Sequence, residues 1–358
     1  MSLGTLVFVG TYTRTDSKGI YPFHFDGESG QLLPAGSPVW VENPSFLAIH
    51  PKGHYLYAVS EIARRQGMPG GAITAFEIDS KGGSLKQINQ QPTQSAALCH
   101  VTTDYSGKWI VAASYQEGTI IVLPIREDGS LGPVSDLVQH QGASVHPKRQ
   151  TGPHAHSATF SPDNRFVYAC DLGIDRIMIY RFDPDRGKLL PSDNPSVALH
   201  PGAGPRHFCF HPSGCFAYVI NELDSTVTVF RFDSGSGTLE PLQTISTLPD
   251  GYQGANACAD IHLSPDGRYL YGSNRGHNSI AIFQVDGETG QLELLGHQST
   301  RGDHPRNFAL DPSGKFLLVA NQNTNNIATF LIDPRSGRMA FTGQEIHVPL
   351  PVCIKFLT

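Results

Sequence analysis

Apolar, β-branched and aromatic residues fall along this chain in short alternating runs, arranged in two patterns that take turns. The first is a strand, a Pro/Gly turn and a second strand: FLAIHPKGHYLYAV from Phe46, VTTDYSGKWIVAA from Val101, SATFSPDNRFVYA from Ser157, FCFHPSGCFAYVI from Phe208, DIHLSPDGRYLYG from Asp260 and FALDPSGKFLLVA from Phe308. Pro fixes φ and Gly supplies the positive φ that a tight turn demands, so these six segments predict hairpins. The second pattern is a later turn, small-Gly-x-Leu or Met, centred on Gly30, Gly83, Gly129, Gly187, Gly237, Gly290 and Gly337. Successive glycines of this series lie 53, 46, 58, 50, 53 and 47 residues apart. That is close to the roughly 40–50-residue period of a four-stranded propeller blade.

The two ends of the repeat complete each other. LVFVGTY reads as a second strand lacking its first, with GIYPFHF as the third, and PVCIKFL after Gly337 reads as a first strand lacking its second. The predicted fold is therefore all-β: a seven-bladed β-propeller with four antiparallel strands per blade, its last blade closed by one C-terminal and three N-terminal strands. Such closure removes the open sheet edge that would otherwise pair with another chain. No linker or shift of composition breaks the repeat, so residues 1–358 predict a single domain.

Composition sharpens this picture. Charged residues are 16% of the chain, against about 25% in an average domain, while 37 Gly and 26 Pro suit many tight turns. A formal net charge of -6 argues against nucleic acid as a partner, because that affinity rests on clustered Lys and Arg. The segment MSLGTLVFVGTYT has no basic stretch and only a short apolar run. Nothing in the chain approaches the roughly 18 apolar residues of a membrane span. The expectation is a soluble cytoplasmic protein with no membrane partner; no feature of the repeat assigns an oligomeric state. Cys99, Cys170, Cys209, Cys215, Cys258 and Cys353 are scattered without CxxC spacing, which predicts packed thiols rather than a disulfide frame or a zinc site.

The hairpins also locate candidate chemistry. Counted from each turn glycine (Asn164 in the third hairpin), the eighth residue before it is Ser45, Cys99, His156, Arg206, Ala259 or Arg306. The eighth after it is Glu61, Tyr115, Leu172, Glu222, Arg275 or Gln322. The first strand of a propeller blade is innermost, so this level rings the mouth of the central channel. His100, His154, His207, Asn221, Asn274 and Asn307 sit one or two places away. Guanidinium forks match carboxylate or phosphate and keep their charge, so Arg206, Arg275 and Arg306 predict a small anionic ligand. The longest connection ends SVHPKRQTGPHAHS, from which Lys148 and Arg149 can add charge for a terminal phosphate. His207, Asn307, Glu61 and Gln322 complete the predicted binding set.

Metal chemistry has partial signals only. His154 and His156 at alternate positions of a strand would share a face, half of a zinc site, but only Glu222 offers a third ligand at that level. Glu61, Asn221, Glu222, Asn274 and Asp260 are oxygen donors of the kind calcium takes. Neither set is complete, and the expectation is no metal and no cofactor. No Gly-x-Ser-x-Gly elbow occurs, and Gly202-Ala-Gly204-Pro-Arg-His departs from the dinucleotide pattern at its last position. Direct attack of water on an activated ester remains, with Glu222 or a histidine as base and arginines around the developing oxyanion.

SVHPKRQTGPHAH at Ser144, GPRHFCFHPSG at Gly204, VINELDSTV at Val219, YGSNRGHNSIAIF at Tyr271 and GDHPRNFALDPSGKFLLVANQ at Gly302 together make the sequence resemble the lactonase family of seven-bladed propellers. That family includes 6-phosphogluconolactonases and fungal 3-carboxy-cis,cis-muconate lactonizing enzymes. The resemblance implies a catalytic set of His154 or His156, Arg206, Glu222 and Arg275. It further implies hydrolysis of 6-phosphogluconolactone to 6-phosphogluconate in the pentose phosphate pathway without a required metal. A muconate-type cycloisomerase and a non-catalytic propeller scaffold are the alternative functions.

Overall fold

A computed structural model describes residues 4–65 and 67–357; residues 1–3, 66 and 358 of the expected single domain lie outside the described residues. Seven four-stranded antiparallel sheets form, and their first strands touch one another in sequence around a closed ring. Blades 1 to 6 occupy 47–92, 98–139, 155–198, 205–246, 257–299 and 305–347. Blade 7 takes Pro351–Phe356 as its inner strand and Thr5–Thr11, Ile20–Phe25 and Leu32–Pro34 outward. Among the described residues every regular element is a strand, and no helix is long and apolar enough to cross a membrane.

The second strands of blades 3 to 6, such as Phe166–Asp171 or Phe316–Asn321, are buried along their whole length, and those of the other blades are buried after their first residue. Outer strands such as Lys188–Ala198 alternate toward solvent. The apolar cores therefore lie between blades, where facing sheets pack, and clusters such as Phe166, Tyr168, Ala217 and Phe230 bridge neighbouring units. All six cysteines are unpaired, four of them buried.

The small-Gly-x-Leu turns form the joint between successive blades. Gly187 holds φ of 61°, and a Cβ on it would lie 2.0 Å from the Trp109 ring of the preceding blade. Rings of Tyr55, Phe166, Phe216, Tyr269 and Phe316 cover Gly129, Gly237, Gly290, Gly337 and Gly30 in the same way. Two residues further on, Tyr57, Tyr168, Tyr218 and Tyr271 donate their hydroxyls to the carbonyls of Gly129, Gly237, Gly290 and Gly337 at 3.2, 2.6, 3.0 and 3.0 Å. Gly187→Ala is thus expected to cost about 2–4 kcal/mol, combining a left-handed Ala with a displaced Trp109. A urea midpoint that falls at unchanged slope checks it; an unchanged midpoint refutes the joint.

A second irregularity positions the site. In six blades the pairing of first and second strands slips: at Leu98/His100, Ala155/Ser157, Pro205/His207, Cys258/Ile261 and Pro305/Asn307 in blades 2 to 6, and opposite Gly10/Thr11 in blade 7. In blades 2 to 6 the residues skipped are Cys99, His156, Arg206, Ala259 with Asp260, and Arg306. A bulge leaves its extra residue without a partner opposite and re-aims its side chain. Five blades thereby present, at one level, the residues found by counting back from the turns.

Candidate active site

At this level the channel opens into a cavity of about 320 Å³. The inner bulges contribute Cys99, His156 and Arg306; the ends of second strands contribute Glu61, Tyr115, Glu222, Arg275 and Gln322; Arg149 reaches in from the long connection. Four guanidiniums (Arg14, Arg149, Arg275 and Arg306) stand against two carboxylates (Glu61 and Glu222) in the lining. The mouth is thus electropositive in a chain of net charge -6.

Glu222 is the hub. Its Oε2 accepts from Arg206 Nε at 3.0 Å and lies 2.8 Å from Arg275 Nη2, while Oε1 accepts from Arg149 Nη2 at 2.6 Å. His156 Nε2 stands 3.9 Å from Oε2. Burial alone would raise the Glu222 carboxyl, but Arg275 and Arg206, helped by Arg149, hold it well below the usual carboxylate range. His156 moves the opposite way for a cation: burial and the charge of Arg206 push it well below the ordinary imidazole value. It is a neutral imidazole beside an ionised carboxylate.

A second group lies across the mouth. Tyr12 donates its hydroxyl to Glu61 Oε2 at 2.9 Å, and its ring carries the guanidiniums of Arg14 at 4.5 Å and Arg306 at 5.5 Å. Arg306 Nη2 is 3.9 Å from Glu61. Arg14 makes no ion pair among the described residues, so its charge is available to a ligand.

The structure places the predicted residues at three depths. His156, Glu222, Arg275, Arg149, Arg306, Glu61 and Gln322 line the cavity. Arg206 does not; it is 2% exposed and lies beneath Glu222. His207 and Asn307 are buried deeper, around Asp260. His154 lies flat on the Tyr115 ring at 4.5 Å with Nδ1 on the Tyr115 carbonyl, and Lys148 is exposed outside the lining. The bulge between Ala155 and Ser157 breaks the two-residue period that put His154 and His156 on one face. Among the described residues no three of His, Cys, Asp and Glu gather closely enough to hold a metal ion. Asn221 and Asn274, possible calcium ligands in the sequence, are engaged with Thr226, Thr228 and Thr247.

Tyr12, Arg14 and His304 line the cavity without having been selected. Blade 7 has no hairpin turn between its first and second strands, so no glycine was there to count from. Aligning LVFVGTY with YLYAVSE would have matched Tyr12 to Glu61.

Fold and site together define a seven-bladed propeller with an arginine-rich cavity at one mouth of its channel. Residues 6–356 match the family described as Lactonase, 7-bladed beta-propeller, and the chain belongs to that family. It is 37% identical over 351 residues to the 6-phosphogluconolactonase of Bacillus subtilis, covering 98% of this chain and 97% of that one. It is 38% identical over 309 residues to the 6-phosphogluconolactonase of Formosa agariphila, covering 85% and 86%. The solved structure of the periplasmic gluconolactonase of Pseudomonas aeruginosa superposes with a TM-score of 0.93 at 38% identity, covering 99% of both chains.

Proposed function

We propose that this protein hydrolyses a small anionic lactone, 6-phosphogluconolactone foremost, to the open-chain acid. The observation that carries the proposal is the excess of guanidinium over carboxylate around one cavity, with Glu222 and His156 side by side in its wall. Membership of the lactonase family and the activities named for its relatives support it.

In this reading the substrate phosphate takes Arg14 and Arg306, and the lactone carbonyl turns to Arg149 and Arg275. A guanidinium beside the carbonyl oxygen gains strength as charge develops there, which is the differential stabilisation that accelerates acyl transfer. Arriving anionic charge also raises the proton affinity of Glu222, which takes the proton of the attacking water. The ring C–O bond then breaks, and its alkoxide takes the proton that Glu222 received, which restores the carboxylate. The six unpaired cysteines support a reducing, cytoplasmic setting, although the Pseudomonas relative is periplasmic. A place in the pentose phosphate pathway follows from the substrate.

The test is lactone consumption measured against a buffer blank, because sugar lactones open spontaneously. The protein is expected to exceed the blank, and Arg14→Ala to raise KM by roughly 10–100-fold, as expected for loss of a charged hydrogen bond to the substrate phosphate. A rate equal to the blank ends the lactonase proposal.

A further inference from the structure

Beneath Glu222 the axis of the ring holds a second polar layer to which the lactonase reading gives no task. Arg206 leans on it: Nη1 donates to His207 Nε2 at 3.1 Å and to the Ala259 carbonyl. A guanidinium has donors only, so Nε2 of His207 must offer a lone pair. Burial and the adjacent Arg206 push His207 down to about 4, which leaves it neutral. Its single ring proton is therefore on Nδ1, and Nδ1 donates to Asp260 Oδ1 at 2.7 Å.

Asp260 is 2% exposed, and both its oxygens have protein donors. Oδ1 also accepts from Ile261 N at 3.1 Å. Oδ2 accepts from His262 Nε2 at 3.0 Å, from Phe308 N at 3.3 Å and from the Asn307 amide. Asn307 is in turn locked by Ile354 N, which donates to its Oδ1 at 2.7 Å. Donors from three of the seven inner strands thus meet on one carboxylate, and a fourth strand holds Asn307 in place.

We propose that Asp260 and His207 are positioning residues of the lactone site: the carboxylate selects the His207 tautomer, that tautomer orients the Arg206 fork, and the fork holds Glu222 Oε2 under the cavity. The assignment rests on the role given to Glu222 above. It is distinct from a structural ion pair because only one placement of one proton serves it. With the proton on Nε2, imidazole and guanidinium would face each other donor to donor, and Arg206 would turn away from Glu222. The bonding partner of the other nitrogen sets the tautomer of an imidazole.

Two measurements test this. In the wild-type protein, ¹⁵N spectra of the histidines are expected to show His207 neutral with its proton on Nδ1; an Nε2–H signal overturns the proposal whatever the substrate is. In Asp260→Asn, which keeps the shape but can present an amide proton to Nδ1, kcat is expected to fall by about 10–100-fold with KM changed by less than about threefold, the scale seen when a group supporting an active-site ligand is lost. Rates are read per folded molecule, with the melting temperature recorded separately. A folded variant with unchanged kcat, or one that loses KM instead, overturns the proposal. Should Asp260→Asn fail to fold, the wild-type tautomer decides alone. Absence of any activity above the blank in the wild type counts against the lactonase reading, while the tautomer still decides the hydrogen-bond chain.

Discussion

Glu222→Gln is expected to lower kcat/KM by about 10³-fold, the middle of the range for loss of a general base, and to destabilise the fold by about 3–5 kcal/mol. Both effects come from one position. Gln cannot take a proton from water, and it leaves Arg206, 2% exposed, and Arg275, 8% exposed, side by side without their shared counter-charge. Burial together with Arg275 and Arg306 already pushes Arg206 down to about 9, so it is still a cation at neutral pH and its repulsion is uncompensated in the variant. The two effects separate in the double variant Glu222→Gln, Arg206→Met. Removing the more deeply buried of the two stranded guanidiniums is expected to recover part of the stability, because it ends their mutual repulsion. Activity is expected to stay lost. Calorimetry and lactone turnover per folded molecule check the pair, and a double variant that regained turnover would show that Glu222 is not the base.

The same carboxylate sets the response to acid. Its folded-state pKa is depressed, so its basic form and its stabilising contribution persist above the unfolded value and are lost only as pH falls through the lower folded value. His156, held neutral by burial and Arg206, adds no ionisation near pH 6. With the blank subtracted and the substrate saturating, so that ionisation of its free phosphate does not enter, kcat is expected to show no acid limb between about pH 7 and 5. A limb near pH 6 would mean that the arginines do not grip Glu222 in solution as they do here.

The blades were legible because their signals are local. A turn that needs positive φ and a ring that needs an uncovered Cα both demand glycine, as Gly187 under Trp109 shows. The level of the site was legible for a less direct reason. Counting from the turns assumes a regular hairpin, and the bulges that aim His156, Arg206 and Arg306 leave no mark of their own in the sequence. Counting succeeded because nearly every blade carries its bulge at the same offset. Depth along the axis could not be counted. Arg206 and Arg306 hold equivalent positions, yet one is covered by Glu222 and the other lines the cavity. What separates them is the partner reached by a long side chain, and that is set by neighbouring blades far away in the chain. His154 shows the same limit, since its stacking on Tyr115 depends on a ring from another blade.

Ending the chain at Val348 is expected to abolish the ordered monomer altogether. The strand removed, Pro351–Phe356, is the inner strand of blade 7 and pairs with the N-terminal strand through Val7↔Phe356, Phe8↔Lys355, Val9↔Ile354 and Gly10↔Cys353. Val352, Cys353 and Ile354 are at most 2% exposed, and their burial alone contributes about 4.5–9 kcal/mol, at roughly 1.5–3 kcal/mol for each apolar side chain. Whole domains are stable by only about 5–15 kcal/mol. The loss extends beyond those side chains: Thr5–Thr11 becomes an open edge with Val7 and Val9 uncovered, and such edges pair between molecules. Asn307 loses the Ile354 amide, so Asp260 and the layer under Glu222 lose an anchor at the same time. Gel filtration is expected to show aggregates, and circular dichroism a broad transition in place of a cooperative one. Adding the peptide of residues 349–358 is expected to recover part of the cooperative transition, because its strand can re-enter the vacant inner edge. A truncated monomer melting at the full-length temperature would show that the other six blades hold the ring without a closing strand.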